Sequence, residues 1–412
     1  MNPNAPSCRF CGHTLEHTFC DLGMSPLSNS YVPLARARAM EPYYPLHAWV
    51  CDRCWLVQLE AFESPQEIFG DYAYFSSYSD SWLEHARRYT AAMVPRLGLG
   101  PASQVVEIAS NDGYLLQYFH AAGIPVLGIE PAANVAEAAR ARGVTTRVEF
   151  FGERLARQLA EEGLAADLLI GNNVFAHVPD INDFAAGFAP ALKADGVLTL
   201  EFPHLLRLIA ERQFDTIYHE HFSYLSLGTV QRVLERHSLR VFDVDELPTH
   251  GGSLRVHACR SGSARWMRTP AVDEVLSREA SAGLGRLETY TAFDEAVKST
   301  KREILSFLIE AKRAGKRICG YGAPAKGNTL LNYCGIGTDF IDFTVDRNPA
   351  KQGTLLPGSR IPVRAPEAIA EARPDLVLIL PWNLRDEIAA QMAHIREWGG
   401  RFVVPIPAPV VF

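Results

Sequence analysis

The sequence predicts an α/β protein: two parallel-sheet units behind a small, metal-stapled N-terminal segment. Three observations predict it. Short apolar runs alternate with helical periods across residues 105–201, and the same rhythm restarts across 317–404. Each series opens on a strand, a loop of small residues and a helix, at Glu107–Gly113 and at Cys319–Asn328. Two Cys-x-x-Cys pairs, Cys8/Cys11 and Cys51/Cys54, stand ahead of both.

Composition bounds the rest. A chain of 412 residues is too long for one simple core. We expect divisions at 1–60, 61–300 and 301–412. Hydrophobic content of 48% and charged content of 21% fit an ordinary globular protein. The net charge is −7 and no Lys/Arg block stands out, which argues against a nucleic-acid partner. No apolar run approaches the ~20 residues needed to cross a bilayer. Met1–Ser7 is polar and carries prolines, so neither a membrane span nor a secretory signal is expected. Eight cysteines fall as two pairs and four singles, a pattern of metal binding and buried thiols in a reducing compartment. The expected location is the cytoplasm.

The elements follow in order. The segment to Leu59 is turn-rich and has little core, so a metal is its natural staple. Each Cys-x-x-Cys turn offers two thiolates to one ion. Two such turns close a tetrahedral set, which makes Zn2+ structural and Cys8, Cys11, Cys51 and Cys54 its ligands. A zinc ribbon that binds nucleic acid is the rival, and it lacks a basic stripe. Residues 61–100 are aromatic, with Tyr72, Tyr74, Phe75, Tyr78 and Trp82 close together, and are expected to be helical. Strands are then predicted at 105–109, 125–129, 167–172 and 196–201, with helices at 114–122, 134–142 and 183–193 between them. Residues 240–246 and 253–259 alternate like antiparallel strands around His250-Gly251-Gly252. A long helical stretch over 272–314 leads to the last unit. There, strands are predicted at 317–320, 340–345, 376–380 and 401–404, and helices at 326–332 and 384–395.

Several of these junctions carry chemistry. The loop Glu107-Ile-Ala-Ser-Asn111-Asp112-Gly113 turns backbone amides toward a ligand at a helix start. Glu130 ends the second strand, where a carboxylate can accept two ribose hydroxyls. The loop has one glycine, too few for a close pyrophosphate approach. It suits a ligand without phosphates, such as S-adenosylmethionine, whose amino group wants acceptors like Asn111 and Asp112. The third strand ends at Asn172 and runs into His177, and ligands lie at such carboxyl ends. Thr216-Ile-Tyr218-His219-Glu220-His221 is a run of proton-handling groups. In extended backbone Tyr218 and Glu220 share one face while His219 and His221 share the other; a tight turn breaks that split. An imidazole suits proton abstraction near neutrality. A second metal held by His219, Glu220 and His221 is disfavoured by the alternation. In the last unit Gly320 and Gly322 permit close backbone approach, Lys326 offers a positive charge to phosphate, and Asp346 ends the next strand. Taken alone, that loop suggests NAD or a nucleotide diphosphate, and an NAD-dependent oxidoreductase or epimerase is the alternative function.

The ordered motifs CxxC…CxxC, EIxSNDGYLL, NNVxAHVPD, YHEHFSYLS, HGGSLRV, GYGAPAKGNTLLNYC and VDRNPxKQG resemble the sugar C-methyltransferase family across essentially the whole chain. That family includes the tetronitrose-pathway C-3 methyltransferase, which acts on a dTDP-linked 3-keto sugar. The resemblance implies a zinc-binding segment, a Rossmann-like class I methyltransferase domain and a second Rossmann-like domain. It implies that His221 is the base, with Tyr218, Glu220 and His177 around the reacting carbon. S-adenosylmethionine would lie over Glu107–Gly113, against Glu130 and Asn172. The nucleotide of the ketosugar, dTDP by default and GDP as the alternative, would lie near His250, Gly322, Lys326 and Asn328. Ala109 stands where methyltransferases commonly carry glycine.

Overall fold

The computed structural model describes residues 6–62, 76–78 and 80–412. The aromatic positions Tyr72, Tyr74 and Phe75 lie outside these; the helix expected around them is seen at Asp80–Leu97. Its buried stripe of Ala86, Tyr89, Thr90, Met93 and Leu97 follows a helical period and packs beside the central sheet.

The N-terminal segment is more regular than its composition suggests. Strands β1 (His17–Ser25), β3 (Tyr44–Val50) and β4 (Val57–Leu59) form an antiparallel sheet. Its fourth strand is β10 (Ser223–Tyr224), the residues just after the Tyr218–His221 run. A further two-residue strand, β2 (Val32–Pro33), pairs with β15 (Thr354–Leu355) of the last unit.

The central sheet has the order β11-β12-β9-β8-β5-β6-β7. Its parallel part comprises β5 (Val105–Ile108), β6 (Val126–Ile129), β7 (Thr146–Arg147), β8 (Ala166–Asn172) and β9 (Leu192–Pro203). The expected antiparallel pair is β11 (Leu239–Leu247) with β12 (Ser253–Arg260), and β12 joins the sheet against β9. Every residue of β5 is buried, as a strand covered by helices on both faces requires. The expected long helix is two, Pro270–Ser281 and Leu287–Arg313, separated by a turn at Gly283.

The last sheet has the order β16-β14-β13-β17-β18-β19. Its members are β13 (Ile318–Tyr321), β14 (Thr344–Val345), β16 (Val363–Arg364), β17 (Leu376–Ile379), β18 (Arg401–Val404) and the antiparallel edge β19 (Val410–Val411). The strand expected from residue 340 is only two residues long. No helix among the described residues is long and apolar enough to cross a membrane.

Candidate active site and zinc site

The four paired cysteines converge. Sγ of Cys8 lies 3.5 Å from that of Cys54, and Sγ of Cys11 lies 3.5 Å from that of Cys51. All four sulfurs lie within 4.8 Å of one another. Zinc–sulfur bonds of ~2.3 Å in a tetrahedron place sulfurs about 3.8 Å apart, so the set fits a closed zinc site. Hydrogen bonds from Cys51 and Cys54 pull the Cys8 thiol far below its ordinary range, the mark of sulfurs crowded enough to share protons. A bound ion takes the place of those protons.

At the carboxyl ends of β5 and β8, several buried polar atoms have no hydrogen-bond partner among the described residues. They are Glu107 Oε2, Ser110 Oγ, Asp112 Oδ1 and both amide atoms of Asn172 and of Asn173. Buried polar groups are normally hydrogen-bonded, so this concentration fits a polar ligand at the strand ends. S-adenosylmethionine, with its amino, carboxylate, ribose and adenine groups, offers that variety of donors and acceptors. Asn173 escaped the sequence reading. It sits at φ 51, a left-handed conformation that asparagine tolerates better than most residues. Its N–H donates to the carbonyl of Glu201 at 2.7 Å, which ties the end of β8 to β9.

The loop between β5 and its helix is held by its own carboxylates. Glu130 accepts from the backbone N–H of Asn111 at 3.0 Å and of Ala132 at 2.9 Å, and burial raises its pKa. Glu107 is 1% exposed, accepts from Tyr114, and is pushed well up by desolvation. Three residues expected at the cofactor have other partners here. Asn111 Oδ1 accepts from the N–H of Ser76 at 2.9 Å. The Asp112 carboxylate pairs with Arg142 at 2.8 Å and accepts from Ser77, leaving Oδ1 alone without a partner. Gly113, at φ 76, is a packing glycine: a Cβ there would meet Val144 Cγ2 at 3.0 Å. The close approach that matters more is at Gly128, where a Cβ would meet Ser110 Oγ at 2.4 Å.

Residues 218–221 form a turn closed by the His221 N–H to Tyr218 carbonyl bond of 2.8 Å. The expected alternation is therefore corrected: His219 and His221 diverge, while Tyr218 and His221 come together with ring centroids 4.0 Å apart. His219 faces the N-terminal sheet, edge-on to Tyr44 and 3.2 Å from the Pro45 carbonyl. His221 Nδ1 lies 2.9 Å from the carbonyl of Thr216. A carbonyl only accepts, so Nδ1 carries the proton and the neutral ring keeps its lone pair on Nε2. Desolvation, then the neighbouring His177, hold His221 well below an ordinary imidazole pKa.

His177 meets His221 edge to face, centroids 4.6 Å apart. Its short 3-10 turn is anchored by Phe175, which is 0% exposed and packs on Phe184 and Phe188. Burying such a ring contributes about 1.5–3 kcal/mol. Burial lowers the His177 pKa to about 4, and the ring hydrogen-bonds the backbone of Glu220. The Glu220 side chain accepts from Asn29 Nδ2 at 2.6 Å, and desolvation raises it to about 7.

The last unit supplies the opposite wall. Lys326 donates to Asn383 Oδ1 and lies 4.7 Å over the Trp382 ring; burial lowers its pKa to about 8. Trp382 Nε1 donates to Asp215 at 2.7 Å, joining this wall to the short 3-10 turn Phe214–Thr216 that precedes the 218–221 turn. Lys326 lies within electrostatic reach of both His221 and His250. His250, at φ 53, packs on Trp82 at 5.3 Å, and burial lowers it to about 4. Below it lies a network no motif announced: Glu201, 0% exposed, with Arg255 at 2.7 Å, His85 at 3.0 Å and Thr249 at 3.1 Å. Two expected substrate contacts also have partners within the protein. Asn328, 1% exposed, donates to the Ser28 carbonyl at 2.6 Å and fastens the N-terminal segment. Gly322, at φ 89, lies under Pro381, where a Cβ would come within 2.4 Å, so backbone conformation and packing both require the glycine.

Three domain models match the chain: a zinc binding domain at residues 8–69, a methyltransferase domain at 82–244, and the C-methyltransferase C-terminal domain at 248–407. Over 404 residues the chain is 40% identical to C-methyltransferase NovU of Streptomyces niveus, covering 98% of this chain and 96% of that protein. Among solved structures it is similar to the magnesium protoporphyrin IX methyltransferase of Synechocystis PCC 6803 with bound SAM. That match has 17% identity and a TM-score of 0.34, and covers 48% of this chain and 89% of the other. A methyltransferase of Clostridium acetobutylicum gives 9% identity and a TM-score of 0.35, covering 44% and 92%.

Proposed function

The chain belongs to the C-methyltransferase family, using S-adenosylmethionine and a structural zinc, and we propose that its acceptor is the carbon beside the keto group of a nucleotide-linked deoxysugar, C-3 foremost. The same reading divides the chain at 1–60, 61–300 and 301–412, the last part helping to hold the nucleotide. A dTDP-sugar is the first choice and a GDP-sugar the alternative.

One observation carries the mechanism: His221 presents Nε2, its other nitrogen being tied to Thr216. Carbon is a poor nucleophile until a proton next to a carbonyl is removed. A desolvated imidazole is neutral at pH 7 and free to take that proton. Tyr218 and His177, whose ring centroids lie 4.0 and 4.6 Å from that of His221, would be the donors to the developing enolate oxygen. Such a donor is worth ~100-fold or more in rate. Bound S-adenosylmethionine supplies an electrophilic methyl on a sulfonium. Asn172, Asn173, Glu107 and Glu130 are positioned to hold it at the strand ends. Glu220, between Asn29 and the His177 contact, keeps the turn in register. His250 and Lys326 face the pyrophosphate and sugar.

The experiment is to incubate enzyme and S-adenosylmethionine with a panel of nucleotide-linked ketosugars, follow one added methyl by mass spectrometry, and locate it by NMR. His221→Asn should lose turnover by about 10²–10⁴-fold, along with solvent deuterium uptake at the acceptor carbon, while S-adenosylmethionine binding stays intact. Normal turnover in that variant refutes the base; a methyl on oxygen or nitrogen refutes the acceptor.

A further inference from the structure

Arg9 lies inside the first zinc knuckle, between ligands Cys8 and Cys11, yet its side chain serves the active site. Its Nη1 donates to the carbonyl of Pro179 at 2.6 Å, two residues beyond His177. Its Nη2 donates to the carbonyl of Leu59, at the end of β4. The guanidinium lies over the ring of Phe222, 5.3 Å from its centroid, next to His221. Its backbone is pinned as firmly: the N–H donates to Gln58 Oε1 at 2.8 Å, and the carbonyls of Arg9 and Phe10 both accept from Asn182 at 3.0 Å. Gln58 in turn donates to Cys8 Sγ at 3.2 Å. One planar cation thus touches the loop that carries His177, the strand edge beside β10, and the residue after His221.

No carboxylate among the described residues lies within ion-pair distance of Arg9. Burial lowers its pKa to about 10, against the opposing influence of Cys8 and then Asp180. A closed four-thiolate zinc site carries net negative charge, which suits an arginine at its flank. We propose that Arg9 is a positioning residue that couples the zinc knuckle to the spacing of His177 and His221. The proposal rests on the reading of His221 as the base. Loss of the fork leaves both loops present but unregistered, and misplacement of ~1 Å costs about 10²-fold in rate.

The test uses the full-length zinc-loaded enzyme carrying Arg9→Met, Arg9→Lys and, as a route that leaves the cation in place, Asn182→Ala. Zinc content, S-adenosylmethionine affinity and amide hydrogen exchange are measured beside kcat and KM. Arg9→Met should keep its zinc and bind S-adenosylmethionine within about twofold, lose kcat by about 10²-fold with little change in KM, and exchange faster at 175–180 and 216–224 but not at 105–113. Arg9→Lys, with charge but no fork, should recover only part of kcat. Asn182→Ala should show the same regional exchange in weaker form. Unchanged kcat and exchange in Arg9→Met overturns the proposal, and so does a uniform rise in exchange across the chain in all three variants. The activity-independent exchange pattern separates this from the base assignment: His221→Asn with normal turnover sinks the base, while the Arg9 pattern stands or falls on its own.

Discussion

Replacing Glu201 should cost the enzyme both stability and the shape of its His250 loop. Glu201 is 0% exposed and Arg255 is 7% exposed, with 2.7 Å between them. Arg255 also stacks over Tyr89 at 4.5 Å, so the cation cannot swing to solvent without breaking core packing. Glu201→Ala therefore leaves a buried, unpaired guanidinium, which costs about 3–5 kcal/mol. At about 2–4 °C per kcal/mol for a unit of this size, the melting temperature should fall by roughly 6–20 °C. Thr249 loses its acceptor in the same variant, so the turn at His250 loosens. Thermal and urea unfolding followed by circular dichroism would measure the loss. The double variant Glu201→Leu with Arg255→Met should recover much of it, because apolar pairs of similar volume often replace buried ion pairs without loss. A single-variant cost under about 1 kcal/mol, or a double variant worse than either single, refutes the account of a paired and enclosed charge. The sign with pH follows from the Glu201 pKa, which the neighbouring cations draw down against desolvation. The stability it contributes is present above the unfolded carboxyl pKa and is lost as pH falls through the lower folded value.

The other predictions concern the metal, the cofactor and protonation. Stripping zinc with a chelator, or Cys51→Ser, should destabilise the N-terminal sheet and, through β10, the catalytic turn; zinc analysis with hydrogen exchange at 216–224 checks it. Asn172→Ala and Asn173→Ala should each weaken S-adenosylmethionine binding about tenfold or more, read by calorimetry, since each removes a buried amide with no partner among the described residues. kcat/KM should stay level well below pH 6.5, because His221 stays neutral there, and should decline above about pH 8 as Lys326 loses its charge. Lys326→Arg should remove the alkaline decline if the charge alone is needed.

Much of this was legible in the chain because two signals are local. The alternation of apolar runs and helical periods located the central strands of both parallel sheets but not the two-residue β7 and β16, which are too short to show a period, and Cys-x-x-Cys spacing located the four converging cysteines. The catalytic turn was harder. Extended and turned backbones are both open to Tyr218–His221, and the choice is made by a local bond from His221 to the carbonyl of Thr216 and by a distant strand, β4, that captures Ser223 and Tyr224. Asn111, Asn173 and His250 all take positive φ, and only their residue types hinted at it. The glycines were only half legible. Gly113 and Gly322 sit at motif positions that suggest ligand approach, and the structure adds a second reason for each: a positive φ and a close neighbour, Val144 and Pro381. Lys326 was read as a positive charge; that it stacks on Trp382 and is joined through it to Asp215 depends on residues far apart in sequence.

The way residues 28–33 interlock with residues 328–355 has a practical consequence. Ser28 is gripped by Asn328, Thr329 donates to the carbonyl of Ile217, and Val32–Pro33 pairs with Thr354–Leu355. Synthesis must therefore pass residue 355 before residues 28–33 find these partners. A fragment cut anywhere between residues 33 and 328 separates the two sides, so complementary pieces should be co-expressed rather than a single piece tested alone.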